Sequence, residues 1–407
     1  MIARLEAQSP YNVARLIKPP PDGGPDPTGA HYERARDLFA EWVHRGVLLP
    51  DRTPGLYPYS QAYTIGDQPF MRRGFVALGD VRDAALLTHE ETHPVVREDR
   101  VRLRRATAAD FGIIFMIYSD PAQAIDRILR DCEQGMPLAV VDQPDGSTHR
   151  LYRCVEPERM ARIVHEMTEH ICVVADGHHR TAAAFDTWRL TQDEEWAYAT
   201  MAFFNAEAPG MTVLPIHRAI DCGPAFNFVR FLDRLADWFE VTRIPLSDAS
   251  PGGAIALLEG PLSEHLHAER VAFGMVGPPR DAGFLVAASP ANLSSWPWPP
   301  QLHPACRELP TAIFETGVLR ASLDYSDDEI DRGARLDFPK DAGALVSSVW
   351  SGRHQLGFLL PPTPLDAVFS VAQLGQNLPQ KSTFFFPKLL SGLVVHRIDS
   401  ASDAGPE

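Results

Sequence analysis

The sequence predicts an α+β fold divided into two domains. The chain has 407 residues, and one core rarely serves a chain of this length, so we expect domains at residues 1–224 and 225–407. Hydrophobic residues make up 45% of the chain and charged residues 22%, which is typical of proteins that bury a sizeable core. Helical and strand patterns are mixed along both halves without a detectable repeat, and this mixture predicts α+β for each domain.

The net charge limits the partners that the chain can bind. The formal charge is -15, and the sequence contains no long block of consecutive Lys and Arg residues. A polyanion would be repelled by such a surface, so nucleic acid is not an expected partner. A small-molecule partner remains the expectation, and the sequence says nothing about the oligomeric state.

The sequence also bears on location and metal content. No apolar stretch approaches the roughly 20 residues that a membrane-spanning helix needs, and residues 1–6 lack the apolar run of a secretory signal. The five cysteines show neither CxxC spacing nor close histidine partners, which indicates neither a disulfide framework nor a zinc site. We therefore expect a cytoplasmic protein without a metal site built from its own side chains.

Local patterns predict the elements around the functional motifs. A Pro/Gly-rich loop is expected at Pro19–Pro27, and an Asp-Gly pair predicts a tight hairpin with its turn at Asp145-Gly146. A helix over residues 226–239 is predicted to open the second domain. The other predicted helices are His31–Arg45, Glu98–Ala108, Pro121–Gln134 and Pro157–Glu169, and the predicted strands are Leu56–Tyr63, Gly74–Leu78, Phe111–Tyr118 and Ala199–Asn205.

The most informative pattern is a strand that runs directly into a helix through a glycine. The short buried-strand pattern Ile171–Ala175 is followed by Gly177 and then by the Ala-rich helical pattern Thr181–Leu190. A helix that starts straight after a strand presents unpaired backbone N–H groups and the positive end of its dipole, so it suits phosphate. Gly177 permits a sharp turn and a close approach of a ligand to the backbone.

Four polar residues surround this glycine. Arg180 supplies a permanently charged planar group for phosphate oxygens, and His178 and His179 supply donors whose charge changes near neutral pH. Asp176 suits either a helix cap or a magnesium ligand. The alternative is a purely structural turn in which Asp176 caps the helix and the basic residues lie in water.

Two further clusters contain candidate functional residues. Glu90 and Glu91 follow a histidine and are candidates for a general base or for magnesium ligands, unless they form a solvated helix start. Lys381 precedes Ser382 and Thr383, and with Lys388 it brackets an aromatic run. Either lysine could bind an anion, although a strand with its aromatic side chains in the core and its lysines in water explains the same pattern.

In this order, the motifs resemble those of the domain-of-unknown-function 1015 family. The likeness covers nearly the whole chain, and the chain departs from the family pattern at Thr181, Asp327 and Leu378. The segments that carry the likeness are Leu56–Gln61, Arg73–Phe75, His89–Thr92, Glu98–Arg100, Asp176–Arg180 and Pro379–Thr383.

The motif Asp176–Arg180 is also similar to the signature of the ParB and sulfiredoxin-like superfamily, especially to the form found in its free serine kinases. This resemblance implies a ParB/sulfiredoxin-like first domain that binds a nucleotide, ATP or ADP, with Mg²⁺. It implies phosphoryl transfer to a small hydroxyl-bearing metabolite such as free serine, with Glu90 or Glu91 activating the hydroxyl and Arg180 stabilising the transferred charge.

Two other functional hypotheses remain open at this point. The first is a nucleotide-binding regulatory module without kinase activity, because the same turn serves as a switch in the ParB branch. The second is an interaction protein in which the turn is structural. The kinase hypothesis assigns nucleotide and phosphate binding to Asp176, Gly177, His178, His179, Arg180, Lys381, Ser382 and Thr383.

Overall fold

The protein forms two compact units. The structure is a computed structural model that describes residues 2–17, 28–246, 249–268, 270–289, 293 and 295–399. Unit 1 contains Met1–Thr212 and Pro387–Glu407, and unit 2 contains Val213–Phe386. Both units contain helices and sheets, which confirms the α+β class.

The two units differ from the predicted division between residues 224 and 225. The chain leaves unit 1 at Thr212, and the segment from Pro387 onward returns to it. Within that returning segment, β18 (His396–Arg397) pairs antiparallel with β4 (Ala109–Asp110). No local pattern indicates a pairing between strands so far apart in the sequence, and the prediction therefore assigned the C-terminal segment to the wrong unit.

A mixed sheet forms the centre of unit 1. Its strands are β1 (Tyr57–Ile65), β2 (Gln68–Asp80), β3 (Leu86–Leu87), β5 (Ile114–Tyr118), β6 (Ala139–Asp142), β7 (Thr148–Leu151), β8 (Cys172–Asp176) and β9 (Tyr198–Asn205). In the described residues these eight strands have the order β3-β8-β5-β9-β2-β1-β7-β6. β5 lies parallel to β9 and antiparallel to β8. All five residues of β5 are buried, as its continuous apolar run predicted.

Helices cover this sheet. They are α1 (Ile2–Gln8), α2 (Ala14–Ile17), α3 (Ala30–His44), α4 (Pro94–Thr107), α5 (Ala124–Cys132), α6 (Pro157–Met167) and α7 (His178–Thr191), with a 3₁₀ turn at Glu194–Ala197. α4 packs against both α3 and α7. The predicted apolar face of α3 is buried at Ala35, Phe39 and Trp42, where it meets Leu103 of α4. This packing places α4 alongside α7.

Unit 2 has an antiparallel sheet of its own. Its strands are β11 (Arg218–Ile220), β12 (Phe239–Pro245), β13 (Ala272–Val276), β14 (Ala282–Ala288), β15 (Leu336–Asp337) and β16 (Leu356–Leu359). Their order is β12-β14-β13-β16-β11-β15. β10 (Thr212–Leu214) and β17 (Phe384–Phe386) form a separate pair.

The helices of unit 2 pack on this sheet around a core rich in aromatic side chains. They are α8 (Phe228–Ala236), α9 (Pro251–His267), α10 (Pro310–Ile313), α11 (Asp327–Asp331), α12 (Ala342–Trp350) and α13 (Leu365–Gln373), with a 3₁₀ turn at Pro304–Cys306 and a π-helix at Phe314–Ser322. No helix in the described ranges of either unit is long and apolar enough to cross a membrane.

Three local predictions have different outcomes. β6 and β7 form the predicted hairpin, but its connection spans residues 143–147 rather than two residues, because Asp142 pairs with Thr148. The predicted helix 226–239 ends at Ala236, and Phe239 begins β12. A run of buried aromatic residues fits both a helix and a strand, so periodicity alone does not locate that boundary. The predicted loop Pro19–Pro27 lies outside the described residues.

One buried cation joins the helices of unit 1 to its sheet. The side chain of Arg104 in α4 is 5% exposed, and its Nε lies 2.8 Å from the carboxylate of Asp110. Its terminal nitrogens donate to the carbonyl oxygens of Trp196 at 3.0 Å and Tyr198 at 2.6 Å, and to the hydroxyl of Thr187. Arg104 therefore satisfies polar groups in α7, in the 3₁₀ turn and at the start of β9.

We expect Arg104→Met to destabilise unit 1. The substitution leaves a buried carboxylate and several carbonyls without their donor, and breaking such a pair costs about 3–5 kcal/mol. Arg105→Met removes the same charge from an exposed position of the same helix, where a change of at most about 0.5 kcal/mol is expected. Urea unfolding measures both values, and equal losses in the two variants would contradict the structural role of Arg104.

Candidate functional site

The predicted strand, turn and helix are present in unit 1. β8 ends at Asp176, Gly177 takes φ 103° and ψ 22°, and α7 begins at His178. This backbone conformation is left-handed, which glycine adopts without strain. Among the described residues no side chain caps the start of α7. The alternative in which Asp176 serves as the helix cap is therefore wrong, and the positive end of the helix is not neutralised by a capping carboxylate.

Asp176 instead pairs with a lysine from the returning C-terminal segment. Nζ of Lys388 lies 3.1 Å from Oδ2 of Asp176. Burial alone would raise the pKa of Asp176, but Lys388 and Arg180 together hold that pKa below its ordinary value. The carboxylate is thus ionised at neutral pH. Lys388 therefore lies beside Asp176, whereas the predicted set of binding residues contained Lys381 and not Lys388.

Arg180 is packed between two glycines. A Cβ on Gly177 would lie 2.8 Å from its Nη2, and a Cβ on Gly112 would lie 3.1 Å from its Cδ. Its Nε is buried and has no hydrogen-bond partner among the described residues. Burial lowers the pKa of Arg180, Asp176 opposes that shift, and Arg100 adds to it. A guanidinium remains charged at neutral pH despite such a shift, so the site holds a half-buried cation whose Nε has no partner among the described residues.

Two neutral imidazoles lie beside the turn. The rings of His89 and His178 meet edge to face with centroids 4.6 Å apart. Burial lowers the pKa of His89 to about 3 and that of His178 to about 4. Both ring nitrogens of His89 and Nε2 of His178 lack hydrogen-bond partners in the described part of the chain. At neutral pH these rings are uncharged groups that can each donate one hydrogen bond and accept another. His179 is only partly buried.

The two candidate carboxylates of the second cluster lie in different surroundings. Oε2 of Glu90 is 3.8 Å from Nδ1 of His178, and the side chain of Glu90 is 31% exposed. Because His178 is neutral at pH 7 and this distance exceeds that of a hydrogen bond, the contact is no salt bridge. Glu91 is exposed to solvent. Of the two carboxylates, Glu90 is therefore the one placed beside the start of α7.

The third cluster belongs to unit 2. Lys381 takes φ 57° and is exposed, and its carbonyl accepts a hydrogen bond from Arg218 at 3.2 Å. Ser382 is buried, and its hydroxyl lies 2.9 Å from that of Thr311 and donates to the carbonyl of Pro379 at 2.5 Å. These contacts shape a turn within unit 2. A role in phosphate binding for Lys381, Ser382 and Thr383 remains a prediction.

The side chains at the turn have limited capacity for a metal ion. In the described ranges no group of three or more His, Cys, Asp or Glu residues is placed to hold one. Asp176 is the carboxylate next to Gly177, and Lys388 already neutralises it. Mg²⁺ usually takes one or two carboxylates together with substrate phosphates and water. The described side chains at the turn therefore form no cage for a metal ion.

Comparison with known proteins places the chain in a family. Fold and site together define an α+β protein. One strand of its larger sheet, β8, continues through a left-handed glycine into an uncapped helix. Residues 1–312 match the family model described as "Protein of unknown function (DUF1015)". The chain belongs to this family, as the order of its motifs predicted. No curated protein matches it.

Several solved structures are distantly similar. A free serine kinase in complex with AMP has a TM-score of 0.37 and 11% identity, covering 76% of this chain and 86% of that one. A variant of the free serine kinase in complex with ADP has a TM-score of 0.38 and 12% identity, with coverages of 76% and 87%. C-terminally truncated SbnI from Staphylococcus aureus has a TM-score of 0.37 and 9% identity, with coverages of 78% and 85%. The ParB/sulfiredoxin-like assignment of the first domain remains a prediction.

The geometry of the turn predicts the effect of Gly177→Ala. A Cβ would add left-handed strain of about 1–3 kcal/mol and would press on the guanidinium of Arg180. Gly146→Ala is the matched control, because Gly146 also has a positive φ, 83°, but no atom lies within 4 Å of its Cβ position. Chemical denaturation should show a larger loss for Gly177→Ala. Equal losses would mean that the contact with Arg180 is unimportant.

Proposed function

We propose that this protein is a nucleotide-dependent phosphotransferase that acts on a small hydroxyl-bearing metabolite. The observation that supports this proposal most directly is the guanidinium of Arg180, whose Nη2 lies against the left-handed Gly177 at an uncapped helix start. A charged group and a helix N-terminus that face the same place favour a phosphate. The site is small and local, as a phosphate clamp needs to be.

Each residue of the turn has a role in this proposal. The first backbone N–H groups of α7 bind oxygens of the terminal phosphates, and Gly177 leaves room for the guanidinium of Arg180 beside them. Arg180 stabilises the charge that develops on the transferred group. Lys388 adds a second cation and, through its pair with Asp176, supports the turn. Mg²⁺ supplies further neutralisation of the phosphates when it is bound with the nucleotide.

Glu90 is the proposed general base. The acceptor oxygen attacks the terminal phosphorus, the bond from phosphorus to the bridging oxygen breaks, and its electron pair leaves with the shortened nucleotide. The hydroxyl proton passes to the carboxylate of Glu90. The neutral rings of His89 and His178 lie beside this carboxylate and offer hydrogen bonds that orient the acceptor. Glu91 is exposed and takes no part in the reaction.

The choice of acceptor rests on the sequence. The motif Asp176–Arg180 resembles that of free serine kinases, so serine is the first hydroxyl compound to test. A ParB/sulfiredoxin-like fold for the domain that carries the motif belongs to the same proposal. Unit 2 has no assigned part in the reaction, and the turn formed by Lys381, Ser382 and Thr383 is outside the proposed machinery.

The paired variants Glu90→Gln and Glu91→Gln test this proposal. With ATP or ADP, Mg²⁺ and a panel of hydroxy metabolites that includes serine, we expect Glu90→Gln to bind nucleotide normally and to transfer phosphate roughly 100-fold more slowly or worse. Glu91→Gln should retain wild-type transfer. Phosphorus NMR of the products measures the transfer.

Two results would count against this function. If nucleotide binds but no acceptor is phosphorylated by the wild type, a regulatory nucleotide-binding module is favoured instead. If Arg180→Gln binds nucleotide as well as the wild type does, the turn is a structural element.

A further inference from the structure

Arg180 also contributes to the wall of a second space. A cavity of about 100 Å³ opens between α4, α7 and β9, and the returning C-terminal segment contributes Ser391 to its wall. Arg100 and Arg180 line it, together with Thr200 and Gly112. Asp176, Gly177, His178 and Lys388 are not among its lining residues. The cavity is therefore separate from the turn, although the two share one side chain.

Two buried polar atoms of this cavity have no partner. Oγ1 of Thr200 and Nε of Arg180 both lack hydrogen bonds among the described residues, and Thr200 is 2% exposed. Buried polar groups are nearly always hydrogen-bonded, and the exceptions commonly mark a bound water, ion or ligand. Arg180 and Thr200 both line the same space, so one occupant of that space would lie beside both residues.

The charges around the cavity indicate what kind of occupant fits. Asp110 is already paired with Arg104 at 2.8 Å and lies 3.5 Å from Nδ1 of His396. The carboxylate of Asp99 is 3.8 Å from Arg100 and accepts a hydrogen bond from a tyrosine hydroxyl at 2.8 Å. Neither carboxylate neutralises Arg180 directly. The lining thus holds an excess of positive charge in a confined space, where an anion would be attracted strongly.

We propose that this cavity binds a compact oxyanion, a phosphate or a carboxylate group. Arg100 and Arg180 are its cations, and the hydroxyl of Thr200 donates the third hydrogen bond. The proposal goes beyond the nucleotide site, because it requires no nucleotide and uses residues of α4 and β9 that the turn does not contain. The oxyanion is either a free ion or a charged group of a small substrate that reaches Arg180 from this side.

Thermal unfolding of the full chain at constant ionic strength tests this proposal, with inorganic phosphate in one arm and acetate in the other. We expect a saturable rise in Tm with one or both anions, because a ligand of the folded state stabilises it. Arg100→Gln should weaken the apparent affinity on the order of tenfold or more. Arg105→Gln, at an exposed position of the same helix, should leave the affinity unchanged.

Thr200→Val gives an independent reading, because it keeps the shape of the side chain and removes only the unpartnered hydroxyl. Its Tm without added anion should equal or exceed that of the wild type, while its response to the anion should fall several-fold. The arm that saturates at the lower concentration identifies the oxyanion. The absence of a saturable response in both arms, or a response preserved in Arg100→Gln and Thr200→Val, would refute the proposal and leave water as the occupant.

Lys388→Met separates this proposal from the nucleotide site. The variant removes a cation of the turn and none of the cavity, so the response to phosphate should persist. A response that is lost in Lys388→Met and kept in Arg100→Gln would place the anion at the turn instead. In that case the cavity proposal fails while the proposed function stands. If the protein binds no nucleotide but keeps its response to phosphate, the proposed function fails while the cavity proposal stands.

Discussion

The guanidinium of Arg180 occupies the face of Gly177 where any other residue would carry its Cβ. This contact depends on the left-handed conformation at Gly177, which also turns the chain from β8 into α7 without a capping side chain. The same backbone therefore presents two positive groups at one place, the end of a helix and a guanidinium. The interpretation of the site as a phosphate clamp depends on this arrangement.

Some charged side chains around the turn form ion pairs, and others do not. Asp176 is neutralised by Lys388, and Asp110 is neutralised by Arg104. Arg180 has neither a direct carboxylate partner nor a hydrogen bond at Nε in the described residues. A buried donor such as this Nε is costly to leave without a partner unless a ligand supplies one. Arg180 belongs to both the candidate nucleotide site and the candidate oxyanion cavity. The two proposals place a ligand in different spaces beside its side chain.

The sequence predicted the local part of this site well. A buried strand, a glycine and an Ala-rich helix lie in one short segment, so their periodicity and turn chemistry were sufficient. It could not separate Glu90 from Glu91, because neighbouring residues in a loop point in different directions and only tertiary packing selects one. It could not choose between Lys381 and Lys388 for a similar reason. Both lysines bracket the same aromatic strand, but the chain passes from unit 2 to unit 1 between them.

The long-range features were beyond the reach of local patterns. The return of the C-terminal segment, the pairing of β18 with β4 and the cavity between α4, α7 and β9 each join residues from distant parts of the sequence. Arg100 and Thr200 have no pattern that relates them. Their importance follows only from the space that they share and from the unpartnered hydroxyl of Thr200.

Calorimetric titration of the wild-type protein with ADP and with adenosine, in the presence of Mg²⁺, tests the central claim most directly. If the turn at Gly177 binds phosphates, ADP should bind and adenosine should bind on the order of 100-fold more weakly, since it lacks every group that the helix start and Arg180 contact. Equal affinity for the two compounds, or no binding of either, would contradict the account.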